Sequence, residues 1–164
     1  MMKVADRIID HEGRLSVANV PDGADGYLLA ALVKASGDSP LVFVTRDEAR
    51  ARTLIDALHF FAPGLDPVFF PAWDCLPYDR VSPNPAIVAD RMAVLALLAR
   101  GKVPLLITTV NAFGQRVPMR DTIEGAALTA KIGDQISQAS LTEFLSANGF
   151  QRVGTVLEPG DFAV

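Results

Sequence analysis

The stretch Val20-Pro21-Asp22-Gly23-Ala24-Asp25-Gly26-Tyr27 comes nearest, in spacing, to a chemical motif. It has the length of the G-x-x-x-x-G-K-[ST] loop, in which backbone amides, a lysine and a hydroxyl hold phosphate and Mg²⁺. Its content departs from that loop. Asp25 stands where the second glycine belongs, Gly26 where the lysine belongs and Tyr27 where Ser or Thr belongs; Gly23 is the glycine left inside. Two aspartates repel phosphate, no ammonium reaches it, and no hydroxyl of the right length reaches Mg²⁺. The residues themselves imply an ordinary strand–turn–helix connection without a bound nucleotide.

Other reactive side chains are scattered. His11, His59 and Cys75 show neither C-x-x-C nor H-x-x-x-H spacing, so no metal site is expected. Cys75 has no histidine near it in sequence to generate a thiolate, and no catalytic residue is expected. The run Phe70-Pro71-Ala72-Trp73-Asp74-Cys75-Leu76-Pro77-Tyr78-Asp79 combines aromatics and prolines. Such a loop can stack bases, but its charges are mainly acidic, which favours a rigid packed loop anchored by Trp73. Arg46, Arg50 and Arg52 read as a solvated face rather than a phosphate track.

The elements that would position these residues alternate. Leu15–Asn19 reads as a short strand, Pro21-Asp22-Gly23 as a turn and Tyr27–Lys34 as a helix. After a break at Gly37–Pro40, Leu41–Thr45 reads as a strand covered on both faces. Thr45-Arg46-Asp47-Glu48 fits a capping box. The next helix sets Ala51, Leu54, Ile55, Leu58 and Phe61 on one face and ends at Pro63-Gly64. Val68–Phe70 is a third strand. Asn84 and Pro85 open a helix running to about Arg100, with a stripe of Val88, Met92, Leu95 and Ala99, and Gly101 closes it. Pro104–Thr109 is a fourth strand. The alternation predicts an α/β fold, a parallel sheet with flanking helices.

The pattern changes after about Pro118. Ala126–Lys131 alternates weakly and Gly133-Asp134 turns. Ser140-Leu141-Thr142-Glu143 reads as a second capping box, opening a helix with Leu141, Phe144 and Leu145 inward and Asn148-Gly149 at its end. Phe150–Leu157 reads as a strand, Glu158-Pro159-Gly160-Asp161 as a turn, and Phe162–Val164 as the start of a further strand. The second part is therefore expected to be cut short at Val164.

The chain has 164 residues, half of them hydrophobic and 21% charged, with a mean hydropathy of +0.28. Such a chain buries enough surface to fold. Its net charge of −4 and pI near 5.1 disfavour duplex DNA as a direct partner. No apolar run approaches the ~20 residues of a membrane span, and no signal-peptide core stands at the N-terminus. With a single cysteine, a cytoplasmic location is expected.

The run FPAWDCLPYDRVSPN, then Asp90-Arg91, ITTVNAFGQRVP, GDQIS and GFQRVGTVLEPGDFAV resemble the N-terminal region of the bacterial transcription-repair coupling factors (Mfd). The resemblance covers most of Leu41–Val164 and, more loosely, the broken loop before it. It implies a degenerate helicase-like lobe over residues 1–120, related to the excision-repair protein UvrB. Residues 121–164 would begin a small α+β domain that binds UvrA. It further implies a non-catalytic interaction module helping to recruit UvrA, with a degenerate phosphate loop and no cofactor of its own. ATP and Mg²⁺ would act in a downstream motor, a DNA translocase, and RNA polymerase and DNA would be met through other domains. The family's main UvrA-contacting strands would follow Val164, leaving Arg152, Glu158 and Asp161 as rim candidates. UvrB's strand-separating hairpin has no counterpart in the short loop from Trp73 to Asn84. The alternatives are a divergent nucleotide-binding domain and a weak DNA-binding module.

Overall fold

The computed structural model describes residues 2–21, 23–76, 80–128, 130–158 and 160–164. Contacts gather the chain into two compact units, residues 1–118 and 119–164.

In the first unit, a three-stranded sheet has the order β1-β3-β2, with β1 Leu41–Thr45, β2 Val68–Phe70 and β3 Leu105–Thr109. Both pairings are parallel: Leu41 faces Leu105 and Thr45 faces Thr109, while Val68 faces Leu106 and Phe70 faces Thr108. Central β3 is buried at all five positions. That explains its unbroken apolar run, since a strand covered on both faces has no polar side. β1 was expected to be covered likewise, but it is an edge strand whose Val42 and Val44 are 53% and 38% exposed. A continuous apolar run does not distinguish the centre of a sheet from its edge.

Helices flank the sheet. α2 (Ala24–Ser36) and α3 (Glu48–Phe61) form one core, in which Leu29, Ala51, Leu54 and Leu58 meet Leu105 and Ile107. α4 (Pro85–Ala99) serves a second core, where Val94 meets Phe70, Val103, Leu106 and Ala112. The expected α3 face is present except that Phe61 is 42% exposed. In α4 the inward positions are Arg91, Val94 and Ala99, whereas Met92 of the expected stripe faces out. A helix that is apolar nearly all round leaves its rotation open, and packing chooses it. Asn84 caps α4 as expected, its Oδ1 accepting from the Ala86 amide at 3.0 Å, with Gly101 at φ +65° just past the end.

Other expectations are corrected. Leu15–Asn19 forms no strand; it is exposed and irregular, with no ladder partner among the described residues, and a strand needs one. α1 (Met2–Ile9), unanticipated, packs on α2. The N-cap of α3 is Asp47, not Thr45: Asp47 Oδ1 accepts from the Arg50 amide at 2.8 Å. The Thr45 hydroxyl instead donates toward Thr108 O and Asp47 O, at 3.0 and 2.9 Å, tying β1 to β3. A short helix, α5 (Val110–Phe113), follows β3.

The second unit holds α6 (Arg120–Gly125), α7 (Gln138–Ala147) and a parallel pair, β4 (Gln151–Arg152) and β5 (Asp161–Phe162). α7 begins one turn earlier than its apparent capping box, with Ser137 accepting from the Ser140 amide at 3.5 Å. Leu141, Phe144 and Leu145 are only half-buried, and no residue of α7 is fully buried. The expected strand over Phe150–Leu157 shrinks to Gln151–Arg152, because β5 offers two residues to pair with. Ala126–Lys131 forms no strand at its described positions. Among the described residues, no helix is long and apolar enough to cross a membrane.

Candidate functional site

Two places around the first unit's sheet could do chemistry: the entrance to α2, and the carboxyl end of β2 and β3, where ligands of parallel sheets usually bind.

At the α2 entrance Asp25, Gly26 and Tyr27 each have a structural partner. Gly23 takes the left-handed conformation, φ +82°, before the first helical turn. Asp25 Oδ1 accepts from the Gly26 amide at 3.0 Å, and its other oxygen pairs with the Arg50 guanidinium from α3. A carboxylate thus lies at the helix N-terminus, where amides and dipole favour negative charge. Gly26 is buried, and a Cβ there would come within 2.7 Å of Ala57 Cβ on α3. Here glycine permits two helices to approach closely. Tyr27 packs edge-to-face on Phe61, with centroids 5.5 Å apart. Asp22, part of the expected turn, lies outside the described residues.

The arginines expected to be a solvated face pair with carboxylates: Arg46 with Asp47, Arg52 with Glu48, and Arg50 with Asp25. The Arg50 amide, and then the Arg46 side chain, hold the Asp47 carboxyl below its ordinary value.

At the carboxyl end of the sheet, the loop behind β2 and the α5 segment enclose a groove of about 1060 Å³. Its lining includes Trp73, Asp74, Cys75, Asn111, Gln115 and Arg116. Beneath these residues lies Arg91 of α4, 2% exposed. Its guanidinium stands over the rings of both Phe70 and Trp73, 4.2 Å from each centroid. Nη1 donates to Pro71 O at 2.5 Å and to Gln115 Oε1 at 3.0 Å, and Nε has no hydrogen-bond partner among the described residues. Gln115 Oε1 also accepts from the Trp73 amide at 3.0 Å. No carboxylate pairs with Arg91 among the described residues. Burial lowers its pKa, yet an arginine stays charged at neutral pH. A buried cation held by ring faces and carbonyl-type oxygens is the main electrostatic feature of this end of the sheet.

Trp73 is therefore an anchor of its loop, as the sequence suggested, with Arg91 as the counterpart it grips. Pro77, Tyr78 and Asp79 of the same run lie outside the described residues. Arg91 and Gln115 were not singled out as site residues. The available signal was the charged pair Asp90-Arg91 inside the mainly apolar helix PAIVADRMAVLALLA.

In the second unit, Arg152 and Asp161 fall on the paired strands β4 and β5, and Glu158 lies in the turn before β5. Asp161 Oδ2 accepts from the amides of Leu157 and Glu158, at 3.4 and 3.3 Å, closing its own turn. Arg152 and Glu158 are exposed. Pro159 of that turn, like Thr129, lies outside the described residues.

No protein-family profile matches the chain. Curated relatives do. The chain is 30% identical over 141 residues to the transcription-repair-coupling factor of Escherichia coli, covering 86% of this chain and 12% of that protein. It is 32% identical over 158 residues to the factor of Myxococcus xanthus, covering 92% and 13% respectively. With the factor of Bacillus subtilis the identity is 21% over 156 residues, covering 94% and 13%. The chain thus spans about an eighth of the length of these relatives.

Proposed function

From the premise that the chain belongs to the transcription-repair-coupling factors as an N-terminal segment, we propose that it is a non-catalytic interaction module. In this reading residues 1–120 are a helicase-like lobe related to UvrB, without a working nucleotide site. Residues 121–164 begin the domain that recruits UvrA, and Arg152, Glu158 and Asp161 lie at its rim. ATP, Mg²⁺, DNA and RNA polymerase are handled elsewhere in the longer protein.

The observation that carries the non-catalytic reading is the α2 entrance. The Asp25 carboxylate, paired with Arg50, takes the position an anion would need. The Gly26–Ala57 contact draws α2 against α3, leaving no room for a lysine side chain at position 26. A phosphate would have to displace a like charge and break an ion pair to enter.

A chimera tests the recruitment. The matching region of the Escherichia coli relative is replaced by this chain, and retention of UvrA is compared with that by the isolated chain. The chimera is expected to retain UvrA and the isolated chain to retain far less. Failure of the chimera overturns the recruiting role. Titration calorimetry of the isolated chain with ATP–Mg²⁺ tests the other half: a dissociation constant tighter than about 1 mM would sink the non-catalytic reading.

A further inference from the structure

The groove at the carboxyl end of β2 and β3 has a chemistry that the UvrA reading, which concerns residues 121–164, does not use. We propose that it is a docking surface for an acidic, extended segment of a partner protein, whose carboxylates are received beside Gln115 and Arg116.

The first argument is charge. Arg91 is a buried cation that pairs with no carboxylate among the described residues, and its field is weakly screened by solvent. Arg116, exposed on the groove lining, also pairs with no carboxylate among the described residues. The opposing charge on the lining is Asp74, whose oxygens accept from the Asn84 amide at 3.2 and 3.3 Å. Among the described residues that line the groove or lie beneath it, two cations stand against one engaged carboxylate, a local positive excess on a chain whose net charge is −4.

The second argument is donor identity. Gln115 Oε1 accepts from both the Trp73 amide and Arg91, which fixes the side-chain amide and leaves its NH₂ end to donate. That NH₂, the Asn111 amide and the Arg116 guanidinium suit a carboxylate acceptor. The half-exposed Trp73 ring supplies apolar contact for the peptide's methylenes. A nucleic acid fits less well, since its affinity requires several phosphates to be neutralised and this lining offers one exposed cation.

Trp73 is the chain's only tryptophan, so its fluorescence reads the groove directly. The intact chain is titrated with hexaglutamate, hexaglutamine and hexathymidylate. Hexaglutamate is expected to produce a saturable shift that weakens as salt rises from about 20 mM to about 200 mM. Hexaglutamine should produce none. Arg116→Glu should weaken hexaglutamate by about tenfold or more. Arg14→Glu, an exposed charge outside the groove, should behave as the unaltered chain. Far-ultraviolet circular dichroism confirms that both variants are folded. The proposal is overturned by no saturable response up to about 10 mM peptide. It is equally overturned by an equal response to hexaglutamine, an unchanged affinity in Arg116→Glu, or tighter binding of hexathymidylate.

Discussion

The α2 entrance and the groove behind β2 flank the same sheet and balance charge in opposite ways. At α2, each charge meets its opposite: Asp25 has Arg50 and the Gly26 amide, and Asp47 has Arg46 and the Arg50 amide. In the groove, Arg91 is buried against two aromatic rings and two oxygens, and no carboxylate among the described residues pairs with it. The comparison teaches that residues at motif spacing can be engaged in ion pairing and helix packing. An arginine outside any phosphate-loop pattern can meanwhile stand buried without an ion pair among the described residues.

The largest effect expected from breaking this contrast is at Arg91. Arg91→Ala removes both ring contacts and leaves Pro71 O and Gln115 Oε1 short of a donor, and should cost about 3 kcal/mol in denaturant unfolding. Arg91→Met retains an apolar stem of similar length and should lose about half as much, because replacing a buried charge by packed apolar atoms avoids its desolvation. Equal losses would show that side-chain volume is immaterial and that the contacts of the guanidinium itself carry the whole effect.

A smaller effect is expected at the α2 entrance. Gly26→Ala improves helix propensity by about 1 kcal/mol. Its Cβ must nevertheless push Ala57 Cβ away from 2.7 Å. Overpacking of about 1–3 kcal/mol should outweigh the gain, lowering the melting temperature. The double variant Gly26→Ala with Ala57→Gly should recover most of the overpacking loss. A stabilised single variant would show that α2 and α3 can separate freely, and would weaken the case for a closed entrance.

The smallest effect is at Asp47, and it has a pH signature. Its carboxyl is held below the ordinary value of 3.8, first by the Arg50 amide and then by the Arg46 side chain. A depressed folded pKa stabilises the fold above the unfolded value, and that contribution disappears as pH falls through the folded value. Asp47→Ala should therefore unfold earlier than the unaltered chain at pH 7, and the gap should close below about pH 3.8. A gap independent of pH would remove the carboxylate from the cap's role.

Several features could be read from residues one at a time. Leu41–Thr45, Val68–Phe70 and Leu105–Thr109 form strands because their short apolar runs are bounded by turn residues. Asn84-Pro85 starts α4 because cap and ring chemistry act within one turn. What failed was whatever depended on neighbours. Leu15–Asn19 has the alternation of a strand but no partner, and Phe150–Leu157 outruns the two-residue β5 it pairs with. Thr45 and Ser140 match capping patterns, yet each helix starts from another residue, since several nearby side chains can compete for the same amides. The loop's departures from the phosphate-loop pattern were legible at Asp25, Gly26 and Tyr27; that Arg50 and Ala57 contact it was not.

By itself, then, the sequence determined the α/β alternation, the helix ends written in local cap and turn chemistry, and the family. Only the tertiary structure decided that β1 lies at an edge, that α4 turns Arg91 inward, and that Gln115 links Arg91 to Trp73 across 24 and 42 residues. The physical reason is range. Periodicity and capping act over a few residues, whereas burial and charge compensation depend on which distant groups the sheet order brings together.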